Sequence, residues 1–166
     1  MENEVRGRII SIDPGNEDSA LLVYDNQKII MMTLCTNTEI CNHLRNIKKE
    51  NVRGDILAIE MIASYGMPVG REVFETCVWI GRFQEIWGND EYFKLIYRKD
   101  VKMHLCNVTR AKDSNVRRAL IDRFGKPGTK KEPGLLYGVK RDIWSALAIA
   151  VYVYDNILKK GETNGK

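Results

Sequence analysis

The chain has 166 residues, 44% hydrophobic and 29% charged, with a net charge of +4; this is the composition of an ordinary globular protein, and no run reaches the eighteen or so apolar residues of a membrane span. Its four cysteines, Cys35, Cys41, Cys77 and Cys106, make no CxxC pair, and the grouping of Cys35, Cys41 and His43 matches no common zinc spacing, so free thiols in a reducing cytoplasm are expected. The charge is uneven: thirteen Lys or Arg against four acids between Arg98 and Arg141 put +9 there and leave −5 elsewhere, an asymmetry that suits a polyanion such as nucleic acid better than a merely solvated surface.

The opening, "MENEVRGR", is polar and does not look like a signal peptide. Three strand-like runs follow, about Arg8–Ile12, Ala20–Tyr24 and Lys28–Leu34, separated by turn residues and expected to pair as an antiparallel meander. Asp25-Asn26 suits a tight turn. "DPG", Asp13 to Gly15, has two readings. One is a type II turn with Gly15 at positive φ and Asp13 bonded within the turn; the other ends a buried strand at Asp13 and points its carboxylate into a site. Thr38 is the candidate N-cap of a helix that carries Ile40, Leu44 and Ile47 and ends near Asn51–Gly54.

"DILAIE", Asp55 to Glu60, reads as a buried strand ending in an acid, and "MIASYGMPVG" as a loop. A helix is expected over about Arg71–Trp87, with Val73, Phe74, Cys77, Val78, Gly81 and Phe83 giving much of its packing surface and Trp79 and Trp87 serving core or dimer packing. Tyr92–Tyr97 is a fifth strand. Lys112–Phe124 is helical, with Ser114 as candidate N-cap, and "GKPGTKKEPG" is a flexible basic loop. The last helix, about Arg141–Leu158, is apolar nearly all round and belongs against a sheet. A single domain over residues 1–160 with a disordered tail at 161–166 is expected.

Strands separated by helices pair in parallel. The fold class is therefore α/β: a five-stranded mixed sheet, its first three strands antiparallel, with helices on both faces. If the first and fourth strands lie side by side, Asp13 and Glu60 share the carboxyl edge of the sheet, the usual ligand crevice of such folds. The first turn of the last helix can add Asp142. Each acid alone has a plain explanation, a strand-end charge or a helix-start charge favoured by the macrodipole. Three together repel unless cations neutralise them. Hard oxygen donors suit Mg²⁺ or Mn²⁺, and two ions roughly 3.5–4 Å apart support in-line hydrolysis of a phosphodiester.

Asp13 in "IISIDPG", Glu60 in "ILAIE", Asp142 in "DIWSALAIAVY" and the segment from Val101-Lys102 to "AKDSNVRRAL" resemble the anchor motifs of RuvC-type Holliday junction resolvases of the ribonuclease H-like superfamily, over Arg8 to about Tyr154. The resemblance implies a homodimeric endonuclease; the isoelectric point near 8.8 and the small single domain fit a cytoplasmic enzyme of a bacterial or phage-infected cell. It would nick four-way DNA junctions symmetrically with Mg²⁺ or Mn²⁺, two ions per site. Asp13, Glu60 and Asp142 would then be metal ligands, with Ser145 standing where the family often has a fourth acid. Lys102 would approach the scissile phosphate or the junction backbone, and Arg110, Lys112, Arg117 and Arg118 would face DNA. Asp113 stands where the family commonly has lysine, which Lys112 replaces from one position earlier. Tyr65, in the loop after Glu60, is either a wedge that stacks on a junction base or a cover for its own loop. Three competitors stand beside this reading. One is a ribonuclease H-like nuclease on hybrids or other branched DNA, and one is a non-catalytic junction-binding protein. The third, an ATPase domain on a similar sheet, is disfavoured by the short chain and the lack of a second phosphate loop.

Overall fold

The structure, a computed structural model, describes residues 7–50, 53–88 and 91–158. Strands β1 (Ile9–Asp13), β2 (Asp18–Asp25) and β3 (Lys28–Thr36) form the expected meander. Helix α1 (Asn37–Lys49) leads to β4 (Ile56–Met61), α2 (Arg71–Trp87) to β5 (Phe93–Tyr97), and α3 (Arg98–Cys106), α4 (Asp113–Phe124) and α5 (Ile143–Val153) follow. A π-helical turn, Tyr154–Leu158, continues α5. The sheet order is β3-β2-β1-β4-β5, with β4 parallel to both neighbours. This is the five-stranded mixed sheet that the sequence predicts.

Strand alternation splits the core in two. Ile10, Ile12, Leu21, Val23, Leu57 and Ile59 face α1 and α2. Ile9, Ala20, Leu22, Ile56 and Ala58 face α5. The α5 face is small where the helix crosses it: Ser11, Ala20 and Ala58 are fully buried beneath a helix carrying Ala146, Ala148 and Ala150. Small residues on both sides let the backbones approach, so an apolar helix can lie flat on the sheet centre. At the opposite end from Asp13, Asp55 fixes the β1/β4 register. It accepts the Arg8 backbone N–H at 2.7 Å and pairs with the Arg8 guanidinium at 2.7 Å.

Several local expectations are corrected. The α1 cap is Thr36, not Thr38: Thr36 and Glu39 make a reciprocal capping box. The meander turn is Asn26-Gln27, both at positive φ, one residue beyond Asp25-Asn26; two consecutive left-handed residues match the twist of a two-residue hairpin. Helix α4 has Lys112 at its N-cap rather than Ser114, with the Asn115 side chain accepting the Lys112 N–H at 2.9 Å. The last helix opens at Ile143, with Asp142 as its N-cap.

On α2 the packing stripe is Thr76, Ile80, Phe83 and Trp87, whereas Phe74, Cys77, Val78 and Gly81 face outward. The "flexible" basic loop is a small hairpin bridged at Gly128 and Pro133, where a Cβ on Gly128 would lie 2.4 Å from the Glu132 carbonyl. Helix α3 was not anticipated. The end of α1 beyond residue 50 and the expected tail at 161–166 lie partly or wholly outside the described residues.

A candidate active site at the carboxyl edge of the sheet

Ile12 of β1 pairs with Ile59 of β4 in a parallel ladder, so Asp13 and Glu60 end neighbouring strands at one edge. Alternation sends both side chains to the α5 face, in line with Ser11 and Ala58. The first turn of α5 arrives over the same edge with Asp142 and, three residues on, Ser145. The Ser145 hydroxyl donates to the Asp13 carboxylate, and Asp142 adds a nearby negative charge. The type II turn is not formed, and Asp13 ends β1 instead. Gly15 is absent from the positive-φ residues, and Pro14–Glu17 form a four-residue connection instead of a tight turn.

That connection is clamped from outside. The Ser19 hydroxyl accepts the Gly15 N–H at 3.1 Å and donates to Asn37 Oδ1 at 2.5 Å, while Asn37 Nδ2 donates to the Gly15 carbonyl at 2.9 Å. Ser19 and Asn37 are buried polar residues whose bonds are spent on holding the segment after Asp13. Gly15 is required for close approach: a Cβ there would stand 2.3 Å from the Asp18 carbonyl.

The electrostatics are those of a concentrated anion site. Burial, reinforced by Glu60 and Asp142 and opposed by Arg98 and the Ser145 bond, raises the Asp13 carboxyl to about 7. Burial also raises Glu60, against the pull of Arg98. β5 ends beside β4, with Tyr97 paired to Met61, so Arg98 emerges next to Glu60. Its Nη1 lies 3.1 Å from Glu60 Oε1, and its Nη2 lies 3.0 Å from Asp113 Oδ1. Burial works against the Arg98 charge, but Glu60 and Asp113 outweigh it and hold the guanidinium firmly protonated. Lys102, one helical turn beyond Arg98, reaches Asp113 at 3.3 Å.

The donor set fits a divalent ion by chemistry: hard carboxylate oxygens with unmet negative charge. Its present geometry is an open one. Among the described residues no three Asp, Glu, His or Cys side chains are gathered closely enough to enclose an ion. Glu60 is turned to Arg98 through Oε1.

The remaining predicted residues scatter. Tyr65 is 64% exposed at φ +49 in the loop after β4, and Met67 beside it is more exposed still. Arg117 lies 4.8 Å over the Trp144 ring, which borders the cleft next to Glu60 and Ser145. Arg118 is paired with Asp122 at 3.0 Å. Arg110 and Lys112 are exposed, without a bond to the carboxylates. Sequence reasoning gave no role to Arg98, Ser19 or Asn37. A larger cavity, between α1 and α2 and bordered by Cys41, Trp79 and Arg82, lies on the other face of the sheet.

No protein-family model and no curated protein sequence matches the chain. Solved structures do. Thermus thermophilus RuvC is similar over 93% of this chain and 96% of its own, with TM-score 0.61 and 16% identity. Thermus thermophilus RuvC in complex with Holliday junction substrate is similar over 94% and 97%, with TM-score 0.65 and 14% identity. The fold is therefore the ribonuclease H-like fold of the RuvC type.

Proposed function

We propose that this protein is a metal-dependent endodeoxyribonuclease that resolves four-way DNA junctions by paired, symmetric nicking. What supports the reading is that Asp13 and Glu60 end neighbouring strands at one sheet edge, with the charge of Asp142 near Asp13, the Asp13 carboxyl raised to about 7, and Arg98 and Lys102 alongside. Such stored negative charge is a cost without a cationic ligand, and a phosphodiester cutter has a use for one. The structural neighbour solved with Holliday junction substrate supports branched DNA as the partner.

Asp13, Glu60 and Asp142 would hold Mg²⁺ or Mn²⁺, with Ser145 orienting Asp13 through its hydroxyl. When bound, the ions supply a polarised attacking water and charge stabilisation on the departing oxygen. The chain's own share is positional. Asn37 and Ser19 fix the segment that carries Asp13, α5 excludes water from the sheet side, and Arg98, Lys102 and Arg117 face the backbone phosphates. Tyr65 and Met67 present apolar surface on an exposed loop, suited to unstacking a base step.

A homodimer follows from symmetry, since a two-fold protein presents two equal sites to a roughly two-fold junction. The outward stripe of α2, with Phe74 62% and Val78 56% exposed, is the surface proposed for it.

The test is a labelled four-way junction against an RNA–DNA hybrid duplex in Mg²⁺. Paired nicks in the junction, with Asp13→Asn and Glu60→Gln binding but not cutting, are expected. Preferential cutting of the hybrid, or junction binding without cutting at any Mg²⁺ or Mn²⁺ level, would overturn the proposal in favour of one or other competitor.

A further inference from the structure

Two cations in the cleft beside the carboxylates converge on a single oxygen. Arg98 Nη2 and Lys102 Nζ lie 3.0 and 3.3 Å from Oδ1 of Asp113. The cations come from one face of α3, a turn apart, while Asp113 is the first residue of α4. Their exposure differs: the Lys102 and Arg98 side chains are 17% and 40% exposed, and the Asp113 side chain 71%. The cations belong to the wall of the cleft, and the anion sits at its mouth. The other nitrogen of Arg98 is bound to Glu60, so this pair of cations adjoins the acids directly.

An oxyanion gripped by a guanidinium N–H and an ammonium has the charge and the hydrogen-bond demand of a phosphodiester oxygen. We propose that Asp113, in the DNA-free protein, occupies the place beside Arg98 and Lys102 that a backbone phosphate takes, as an internal substitute for that phosphate. This rests on the DNA-cutting reading above and adds to it a built-in competitor for the phosphate. The pairing keeps Asp113 ionised: burial would raise its carboxyl, but Arg98 and Lys102 bring it below the ordinary value. An ion pair this exposed is weak, so a phosphate drawn in by the surrounding positive field can displace it. Asp113 would swing outward into solvent, and the Arg98 fork would exchange a carboxylate for a phosphate.

A plain acid in the first turn of a helix would also repel DNA, so the test must separate local occupancy from general charge. Binding is measured on a labelled four-way junction and on a labelled duplex, in EDTA so that nothing is cut. Asp113→Asn is expected to tighten both by about fivefold, the most a weak surface pair returns when removed. In the Arg98→Gln/Lys102→Gln background the same change should gain less than about 1.5-fold, because the competitor has nothing left to occupy. Asp122→Asn, on the same helix, should change affinity equally in both backgrounds. Asp113→Ser repeats the cycle with a second side chain that suits a helix start. Equal gains from Asp113→Asn in both backgrounds, or a gain in neither, would overturn the built-in competitor. Tight binding of both DNAs without cutting would defeat the proposed activity while the cycle still decides the competitor; no binding of either DNA by any variant would defeat both.

Discussion

Replacing Asp13 by Asn should make the metal-free protein more stable, by an amount that grows as pH rises from about 4 to about 7. Burial first, then the charge of Glu60, places the Asp13 carboxyl at about 7, against 3.8 in an exposed chain. The unfolded chain therefore releases this proton near pH 4 and the folded site near pH 7. Between those values the folded state holds the extra proton, so stability falls as pH rises through the window. Above it, the folded protein carries a charge whose cost reaches about 4 kcal/mol at most, and about 2 kcal/mol once relaxation and water entry are allowed for.

Asparagine removes the charge, keeps the shape and still accepts the Ser145 hydroxyl. For a chain of this size a kilocalorie moves Tm by roughly 2–4 °C, so at pH 8 in EDTA the variant should melt about 4–8 °C above wild type. At pH 5, already inside that window, roughly a third of this gain should remain, and it should vanish only below the unfolded value of 3.8. Adding MgCl₂ at pH 8 should raise wild type and leave the variant almost unmoved. Differential scanning calorimetry at the two pH values reads this directly. An equal gain at pH 5 and pH 8, or no gain at either, would refute the claim that Asp13 sits in unrelieved negative potential.

Two further outcomes concern other parts of the molecule. Asp155, in the π-helical turn, accepts two bonds from Arg123, at 2.6 and 2.9 Å, and lies 2.8 Å from His104 Nε2, tying α3 and α4 to the end of α5. Asp155→Asn should cost about 2 kcal/mol in urea denaturation. Since the pairing lowers the Asp155 carboxyl in spite of burial, the difference should persist above about pH 4 and fade only as pH drops through the depressed folded value. On α2, Phe74→Asp with Val78→Asp should convert a particle of twice 19.1 kDa into one of 19.1 kDa by light scattering, with Tm lowered only at concentrations where wild type is dimeric; an unchanged mass would remove this face as the dimer surface.

The sheet and its acids were legible because each rests on a short, local signal. "IISID" and "ILAIE" are buried runs that end in an acid. Asp142 and Ser145 are three apart at the head of an apolar helix, and that spacing alone puts them on one face. What was illegible is non-local or ambiguous. Arg98 is one of thirteen cations in its segment, and only the β4/β5 register sets it beside Glu60. Ser19 and Asn37 look like ordinary turn and cap residues until the fold brings them around Gly15. On α2 the chain is apolar on two stripes, so periodicity finds the helix but not which stripe meets the sheet: Ile80, Phe83 and Trp87 take the core and leave Phe74 and Val78 outside. Helix α3, "RKDVKMHLC", follows β5 without a glycine or proline and has one fully buried residue, Val101, so no hydrophobic rhythm announces it.

The most direct measurement is anomalous diffraction from crystals of the metal-free protein soaked in Mn²⁺ near pH 8. The account predicts manganese at the sheet edge, roughly 2.0–2.2 Å from oxygens of Asp13, Glu60 and Asp142, with Glu60 released from Arg98. Full junction cutting in Mn²⁺ by crystals' worth of the same protein, with no manganese peak touching Asp13 or Glu60, would contradict it.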